Sequence, residues 1–459
     1  KEDKLITSPI TVVKVDQETG KQIQAAGVEF RLLDSRKKPI EMEVYYPEHM
    51  KTSIFKTDKK GQFTFPQKLK KGQYYLEEVK APEGYLKGEL LPFEVKEGAT
   101  WAEAQVIRYS NRSAKGKIVL QKIDQKTKET LSGAVFEIFA AEDIVTADQT
   151  VHAEKGELVD TVEVSEKGGC SQNLYLGKYV VKEKKQPEGY VRLKKEYEVE
   201  LKYKDQVTEI VTEELTVANV PVTTELVKTD KKSGKPLEGV SFSVWKKEDE
   251  KLPKFEKKMY VTNQDGKILL EYLKTGTYCI QEKKTLPGYL LSEQITEFTV
   301  DEEGYSEGKQ RLCLKLENEH TNIEVEKLDA DTKKTVEGAV LQIEDLQGKV
   351  IVEKWKTEKE PKQIEKLPEG EYVLVEAEAP FGYQKAEKMK FHVEPRKEVQ
   401  KITLYNRKSE KEKLPEESTG RKDTPKTGDT ATVAKLIAAL LGASLLLGLI
   451  YYRKRDRKR

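Results

Sequence analysis

The sequence predicts an all-β protein with four tandem Ig-like β-sandwich domains, followed by a flexible tether and one C-terminal transmembrane helix. Three observations support this prediction. One sequence unit occurs four times along the chain. Within each unit, short stretches rich in Val, Ile, Tyr and Thr alternate apolar with polar residues and are separated by turn signals. A strongly apolar segment followed by basic residues closes the chain.

Composition narrows the classes of function. The 459 residues are enough for about three to four domains. The 82 basic and 80 acidic residues nearly cancel, which argues against a nucleic-acid partner held by net charge. No metal-ligand spacing, phosphate-binding glycine loop or nucleophile elbow occurs, so we expect no metal, no cofactor and no active site of the common enzyme classes. The 3 cysteines cannot form a closed disulfide framework.

The box that opens each unit contains a lysine two residues before an aspartate that starts a turn. The four copies read "VVKVDQETG", "LQKIDQKTK", "LVKTDKKSG" and "VEKLDADTK". Their lysines are Lys14, Lys122, Lys228 and Lys327.

Two further boxes supply a glutamate and an asparagine. The second box reads "YYLEEVKAPEGY", "YVVKEKKQPEGY", "YCIQEKKTLPGY" and "YVLVEAEAPFGY", with a Glu four residues after the leading Tyr in every copy. The third reads "VIRYSN", "LTVAN", "LKLEN" and "ITLYN" and ends each unit. The glutamates and asparagines are Glu78, Glu183, Glu282 and Glu376, and Asn111, Asn219, Asn318 and Asn406.

The spacing of the boxes predicts the domain boundaries. Successive lysines stand about a hundred residues apart, a common domain size. Insertions around residues 34–60 and 140–168 are expected to form surface loops or an extra hairpin. The predicted divisions are a lead-in at 1–9, domains at 10–113, 114–221, 222–320 and 321–407, a linker at 408–423 and a terminal signal at 424–459.

Strand alternation predicts that the lysine, glutamate and asparagine of each unit point into the core. Lys122 is in phase with Leu120, and Glu183 is in phase with Val181. A buried unpaired charge is costly, and burial shifts the pKa of such a group toward its neutral form. Two other interpretations stay open: a buried ion pair capped by an amide, and a misread phase that leaves all three side chains solvated.

A buried trio of this kind has a chemical use. A lysine and a glutamate in one apolar pocket can exchange a proton, which leaves a nucleophilic neutral amine and a glutamic acid that hydrogen-bonds the asparagine carbonyl. Attack of the amine on that carbonyl would form an amide bridge and release ammonia. The glutamate acts as acid and proton shuttle and is not consumed.

These units resemble Cna-B-type domains, the prealbumin-like sandwiches of Gram-positive surface adhesins and pilins, from residue 10 to about residue 407. The resemblance implies an intramolecular isopeptide bond in each domain, promoted by the glutamate. The third unit reads "TLPGY" where the first two read "APEGY" and "QPEGY". The implied bonds are Lys14 to Asn111, Lys122 to Asn219, Lys228 to Asn318 and Lys327 to Asn406, with Glu78, Glu183, Glu282 and Glu376 as catalysts.

The C-terminal segment predicts a membrane span and an anchor. The apolar run 436–452 would rise about 25 Å as a helix, and the basic residues after it would stay cytoplasmic, so the repeats would lie outside the cell. No secretory leader precedes Lys1, and we expect the sequence to begin at a processed or truncated end.

The segment "TPKTGD" before this run resembles the cell-wall sorting signal read by sortases. The resemblance implies cleavage between Thr427 and Gly428, with Thr427 passed to the wall or to a pilin lysine. Thr424 replaces the usual leucine, which leaves the sortase class open, and "LPEESTG" at 414–420 is interpreted as linker. The motif comprises Thr424, Pro425, Lys426, Thr427 and Gly428.

The predicted function is a structural stalk on a Gram-positive cell surface, as part of a wall-anchored adhesin or of a minor or basal pilin. The expected partners are a sortase, then a peptidoglycan precursor or a pilin lysine. The alternatives are domains that bind host extracellular matrix, through the first two insertions, and a pilus backbone subunit, for which no YPKN-like acceptor motif is found. We also expect Cys279 and Cys313 to lie on the outward phase of their strands.

Overall fold

A computed structural model of the chain describes residues 7–45, 48–96, 104–251 and 256–409. Within these ranges every regular element is a β-strand, apart from one short 3-10 helix at Lys247–Lys251. The predicted all-β class is therefore confirmed for the repeats. Across the same ranges, no helix has the length and apolar character needed to cross a membrane. The sorting motif, the apolar run and the basic tail lie outside the described residues.

The first two repeats carry more strands than the others because of their insertions. The strands of repeat 1 are β1 (Thr7–Ser8), β2 (Ile10–Asp16), β3 (Glu29–Leu33), β4 (Met42–Val44), β5 (Met50–Thr52), β6 (Ile54–Lys56), β7 (Gln62–Thr64), β8 (Leu69–Lys70), β9 (Gly72–Lys80), β10 (Leu91–Val95) and β11 (Gln105–Asn111). Those of repeat 2 are β12 (Lys115–Asp124), β13 (Ala134–Ala140), β14 (Ile144–Val145), β15 (Val151–Ala153), β16 (Leu158–Val164), β17 (Gly169–Cys170), β18 (Leu174–Tyr175), β19 (Gly177–Lys185), β20 (Glu196–Leu201) and β21 (Ile210–Asn219).

Repeats 3 and 4 show the basic unit of seven strands. In repeat 3 they are β22 (Thr223–Asp230), β23 (Ser241–Lys246), β24 (Lys258–Val261), β25 (Lys267–Glu271), β26 (Gly276–Lys284), β27 (Ile295–Val300) and β28 (Arg311–Asn318). In repeat 4 they are β29 (Asn322–Asp329), β30 (Val340–Glu344), β31 (Val350–Lys356), β32 (Lys362–Glu365), β33 (Gly370–Glu378), β34 (Met389–Val393) and β35 (Gln400–Asn406).

Each repeat places one hydrophobic core between two sheets. In repeat 3 one sheet has the order β25-β22-β28 and the other β24-β23-β26-β27, and repeat 4 repeats this with β32-β29-β35 and β31-β30-β33-β34. Apolar residues alternate along the strands, so each sheet buries one face. Phe136 and Val181, for example, are fully buried in the core of repeat 2.

The lysine strand and the asparagine strand are parallel neighbours in every repeat. In repeat 2, Lys122 pairs with Val217 and Asp124 pairs with Asn219. The same register occurs in the other three repeats, so the asparagine always lies two residues beyond the position opposite the lysine. Because alternate residues share a face, the lysine and the asparagine point into the same core.

The glutamate comes from the opposite sheet, at a fixed irregularity. Glu183 pairs with Phe136 where the pairing of β13 and β19 shifts register. The equivalent shift occurs beside Glu78, Glu282 and Glu376. A β-bulge redirects a side chain locally. The three functional side chains therefore meet across the core, two from one sheet and one from the other.

Both predicted insertions contain the expected extra hairpin. In repeat 1 β4 pairs with β5, and in repeat 2 β14 pairs with β15. Cys279 lies on the outward side of β26, as its strand phase predicts, but its thiol is buried, whereas that of Cys313 is exposed. The 3-10 helix packs against β26 and covers this outer face. Both thiols are free.

The second insertion and Tyr175 of β18 contribute to the contact between repeats 1 and 2. The Thr19 hydroxyl donates to Asp148 Oδ2 at 2.5 Å, and the Gln24 backbone N–H donates to the Ala147 carbonyl at 2.8 Å. Glu18 accepts a hydrogen bond from Tyr175 at 2.6 Å. The β14–β15 hairpin is therefore held against the preceding repeat.

The later junctions use a different and recurring arrangement. Tyr272 of repeat 3 donates to Asp124 of repeat 2 at 3.1 Å, and Lys366 of repeat 4 lies 2.6 Å from Asp230 of repeat 3. Both Tyr272 and Lys366 have left-handed backbone conformations, with φ of 59° and 61°. The aspartates are those of the lysine box, two residues after Lys122 and Lys228. At both of these junctions, the later repeat therefore contacts the aspartate that ends the lysine strand of the preceding repeat.

A second unit includes Phe381–Gln384 and, among the described residues, 407–409. Within it the Gln384 N–H donates to the Arg407 carbonyl at 2.9 Å, and the Ser409 N–H donates to the Gly382 carbonyl at 2.9 Å. These bonds hold the "PFGY" turn to the end of the repeat region.

Candidate functional site

The structure brings each predicted lysine, glutamate and asparagine together inside its own repeat. All twelve side chains are buried, which confirms the burial predicted from strand alternation and excludes the solvated interpretation. The ammonium nitrogen lies close to a glutamate oxygen in every repeat. These Nζ to Oε distances are 2.8 Å for Lys14 and Glu78, 3.0 Å for Lys122 and Glu183, 2.9 Å for Lys228 and Glu282, and 3.4 Å for Lys327 and Glu376.

The asparagine amide contacts the same carboxyl group in each case. Nδ2 donates to a glutamate oxygen at 2.6 Å from Asn111, 3.0 Å from Asn219, 2.7 Å from Asn318 and 3.0 Å from Asn406. In repeat 2 the lysine Nζ also contacts Oδ1 of Asn219 directly. One carboxyl therefore bridges the amine and the amide in all four repeats.

Burial changes the protonation of the lysines. Loss of solvent lowers the pKa of Lys14, Lys122 and Lys327 to about 8, and the neighbouring glutamate opposes this shift only in part. The pKa of Lys228 is also lowered by burial. A lower pKa increases the fraction of neutral, nucleophilic amine near neutral pH.

Aromatic side chains form the apolar wall of three of the four sites. Phe30, Phe136 and Phe242 lie opposite the glutamates, with ring centroids 5.3, 5.5 and 5.7 Å from the lysine Nζ atoms. Leu341 takes this position in repeat 4. In repeat 1 the ring of Tyr109 is closer still, 4.3 Å from Nζ of Lys14. These walls exclude water and so maintain the lowered lysine pKa.

Sequence reasoning missed the backbone groups that orient the trio. The N–H of the residue ten positions after the glutamate donates to Oε2 in three repeats: Gly88 at 2.7 Å, Leu193 at 2.6 Å and Ala386 at 2.5 Å. Carbonyls eight positions after the glutamate accept from Nδ2 in repeats 1 and 2, Leu86 at 2.6 Å and Val191 at 3.0 Å. The constant spacing from the glutamate to the "GY" turn was the available signal, since backbone atoms leave no residue-type signature.

The arrangement has the parts that an amide exchange needs. It offers a nucleophile with a lowered pKa, an electrophilic carboxamide on the same sheet face, and a carboxyl that touches both nitrogens. The same geometry also describes an ion pair capped by an amide, the second interpretation from the sequence. Amide exchange differs from the capped ion pair in one respect: the lysine nitrogen becomes covalently bonded to Cγ of the asparagine.

Comparison with known proteins places all four repeats in one family model. The model described as SpaA, prealbumin-like fold domain, matches residues 8–107, 116–216, 222–310 and 321–408. No curated protein matches the chain in sequence.

Comparison with solved structures also finds matches over much of the chain. The Bacillus anthracis TIE protein is 20% identical over 89% of this chain and 76% of its own, with a TM-score of 0.39. A streptococcal ancillary pilin is 18% identical over 65% of this chain and 100% of its own, with a TM-score of 0.29. BcpA, the major pilin subunit of Bacillus cereus, is 15% identical over 69% of this chain and 100% of its own, with a TM-score of 0.33.

Proposed function

Because the chain belongs to the family of SpaA prealbumin-like fold domains over most of its length, we propose that it is the structural stalk of a sortase-anchored Gram-positive surface protein. The stalk is part of an adhesin or of a minor or basal pilin. Its domains extend over 10–113, 114–221, 222–320 and 321–407. Each domain is stabilised by an isopeptide bond that forms autocatalytically within the domain. The proposed bonds join Lys14 to Asn111, Lys122 to Asn219, Lys228 to Asn318 and Lys327 to Asn406.

One observation carries this proposal: the same buried trio occurs four times with the same strand register. An ion pair tolerates changes of position and partner, whereas bond formation requires a fixed approach of the amine to the carboxamide. Replacing a buried ion pair by apolar residues is often neutral or stabilising, so stability alone gives little reason to keep four of them.

The reaction follows from the contacts. Nζ of the neutral lysine attacks Cγ of the asparagine, and the Nζ–Cγ bond forms as the Cγ–Nδ2 bond breaks. The lysine nitrogen loses one proton and the leaving Nδ2 gains one. The glutamate, which contacts both nitrogens, carries the proton from one to the other. One ammonia leaves for each bond, and the glutamates Glu78, Glu183, Glu282 and Glu376 end unchanged.

The bond has a mechanical use because of the strands it joins. Lys122 and Asn219 are 97 residues apart and lie on the strands that enter and leave repeat 2. Tension along the chain loads these two strands first, and a covalent link between them carries the load past the rest of the sandwich. Closing a loop of this length also stabilises the fold by about 4 to 5 kcal/mol.

Intact mass of the full chain tests the proposal. Four bonds make the measured mass lower than the sequence mass by four ammonias, and Glu183→Ala restores one of them. Glu196→Ala is the matched control, since this exposed glutamate of the same repeat pairs with the surface residue Lys182. Peptide maps in which all four lysines keep a free ε-amine would overturn the crosslinking function.

We propose that the sorting motif Thr424 to Gly428 anchors the stalk, with cleavage between Thr427 and Gly428. The chain would be incubated with sortases of different classes and an amine nucleophile, and the new C-terminus identified by mass. Thr427→Ala is expected to abolish cleavage, while Ser418→Ala in the preceding linker leaves it unchanged. Cleavage at another site by every sortase would contradict the assignment.

A second candidate function is direct binding of a host ligand by repeat 1. Its β4–β5 hairpin carries Tyr45, which is 69% exposed and stacks on His49, whereas the hairpin of repeat 2 is occupied by contacts with repeat 1. Binding of the full chain to extracellular-matrix proteins, compared with Tyr45→Ser, tests this. Equal binding by both proteins would exclude the hairpin.

A further inference from the structure

The amide of Asn318 in repeat 3 is held differently from its counterparts. In repeats 1 and 2 the asparagine Nδ2 donates its second hydrogen bond to a backbone carbonyl, Leu86 or Val191. In repeat 3 Nδ2 donates to the hydroxyl of Thr285 at 2.7 Å. A side chain has replaced a main-chain group at the leaving nitrogen.

The two acceptors have different chemical consequences. A carbonyl oxygen only accepts hydrogen bonds, so it admits the NH₂ side of the amide and excludes the oxygen side. A hydroxyl both accepts and donates, and it can therefore satisfy either side. The nitrogen must face the glutamate to receive a proton as it leaves. In repeat 3 the amide of Asn318 has this orientation only when the Thr285 hydroxyl accepts a hydrogen bond from Nδ2.

The carboxyl of Glu282 is also less restrained than the other three. Gly88, Leu193 and Ala386 donate backbone N–H bonds to their glutamates. Within the described ranges no backbone N–H donates to Glu282, whose Oε2 has only the Lys228 ammonium at 2.9 Å. A cleft of about 630 Å³ opens beside this carboxyl and is lined in part by Leu290 and Ser292, the segment whose equivalents supply the missing contact.

We propose that Thr285 is the positioning residue for the Lys228–Asn318 bond, and that this bond forms more slowly than the other three. The proposal rests on the crosslinking function described above. The step is the same: Nζ of Lys228 bonds to Cγ of Asn318, the Cγ–Nδ2 bond breaks, and ammonia leaves with the proton passed by Glu282. Thr285 neither gains nor loses a proton, and it holds Nδ2 toward Oε1 of Glu282, 2.7 Å away.

The experiment follows each bond separately in the full chain. Protein is refolded from denaturant after synthesis under conditions that prevent bond formation, and samples taken over time are digested and analysed by mass spectrometry for each crosslinked peptide. In the unsubstituted chain the Lys228–Asn318 peptide is expected to appear last. Its appearance at the same time as the other three, or earlier, would overturn the ordering.

Substitutions at Thr285 then separate positioning from folding. Thr285→Val removes the hydroxyl with little change of volume and is expected to slow bond formation in repeat 3 by about five- to tenfold, the loss of one hydrogen bond. Thr285→Ser keeps the hydroxyl and is expected to restore the rate to within about twofold. The crosslinked peptides of repeats 1, 2 and 4 in the same sample are internal controls and should not change.

The possible outcomes distinguish the role of Thr285 from the crosslinking function as a whole. Equal rates for Thr285→Val and the unsubstituted chain, or equal slowing by the Val and Ser variants, would overturn the role of Thr285 alone. The absence of every crosslinked peptide from the unsubstituted chain would overturn the crosslinking function itself. Protection of repeat 3 amides from hydrogen exchange shows that the Val variant is folded, so a slow rate is not the result of unfolding.

Discussion

The interiors of the four repeats use the same residues in the same arrangement, whereas the junctions between repeats use different residues. Every interior places a lysine Nζ within 3.4 Å and an asparagine Nδ2 within 3.0 Å of the same glutamate, in one register. The junctions vary: repeats 1 and 2 meet through an inserted hairpin, while the later pairs meet through Tyr272 or Lys366. Buried charges must be matched in full because no water replaces a lost partner. At the later junctions the aspartates Asp124 and Asp230 are buried as well, but the residues that meet them, Tyr272 and Lys366, are partly exposed, so different residues can serve as partners.

Glu183→Ala is expected to produce the largest effect, because it breaks both the ion pair and the covalent link inside repeat 2. An unpaired buried ammonium costs about 3 to 5 kcal/mol, in addition to the stabilisation lost with the link. Calorimetry of the full chain should show one transition moving to much lower temperature. Glu196→Ala, at the surface of the same repeat, should move it little, since exposed pairs contribute at most about 1 kcal/mol. Similar shifts for both variants would remove the distinction between interior and surface.

Asn219→Ala isolates the covalent link, since Lys122 and Glu183 remain to form their ion pair. Repeat 2 is expected to lose about 4 to 5 kcal/mol of unfolding free energy, the effect of opening a loop of 97 residues. Denaturant unfolding measures this loss. If the Asn219→Ala and Glu183→Ala proteins were equally stable, the ion pair would contribute nothing to the interior.

The Asn219→Ala protein should also gain stability at alkaline pH. The Lys122 pKa is lowered to about 8 in the folded repeat from 10.5, so between these values the unfolded chain binds more protons. The free energy of unfolding therefore rises with pH through this window, by about 3 kcal/mol, and the cost of burying the ammonium is fully present below pH 8. Denaturant unfolding midpoints recorded from pH 7 to 10.5 measure this rise in the free energy of unfolding. In the bonded chain the nitrogen of Lys122 is an amide, and the same rise should be absent.

The junctions can be compared through two equivalent glycines, with the smallest expected effect. Gly84 and Gly288 both have φ of 83°, but a Cβ on Gly84 meets nothing within 4 Å, whereas one on Gly288 would lie 2.2 Å from the Lys366 carbonyl oxygen. Substitution by alanine should cost each repeat about 1 kcal/mol of backbone strain. Only Gly288→Ala should also loosen a junction.

Hydrogen exchange at Thr321 measures this loosening, because its N–H donates to the Gly288 carbonyl at 3.0 Å. Faster exchange is expected in the Gly288→Ala protein, and the amide of Ala114, which donates to the Gly84 carbonyl at 2.9 Å, serves as the corresponding probe for Gly84→Ala. Equal acceleration at both sites would mean that the two junctions respond alike and that the approach of the Lys366 carbonyl has no consequence.

Much of the fold and of the site could be predicted because the same strand alternation and box spacing occur in four repeats, so that each weak local signal is supported three more times. Alternation along the strands placed Lys122 and Glu183 in the core, and both are buried. It also placed Cys279 on the outward side of its strand, but it gave no sign that the thiol is buried there, where the 3-10 helix at Lys247–Lys251 packs against β26. Alternation reports only which side of a strand a residue faces. What covers that side depends on chain elements distant in sequence.

The sequence by itself determined the all-β class, the four repeats and the identity of each buried trio, because the period of two along a strand and the spacing of the boxes are local properties. Tertiary structure decided which atoms orient the trio and how one repeat meets the next. The Val191 carbonyl and the Leu193 N–H act through backbone atoms that every residue type has. Their role arises only where the fold brings these backbone atoms within hydrogen-bond distance of Glu183 and Asn219, and the residue types at positions 191 and 193 do not indicate that approach.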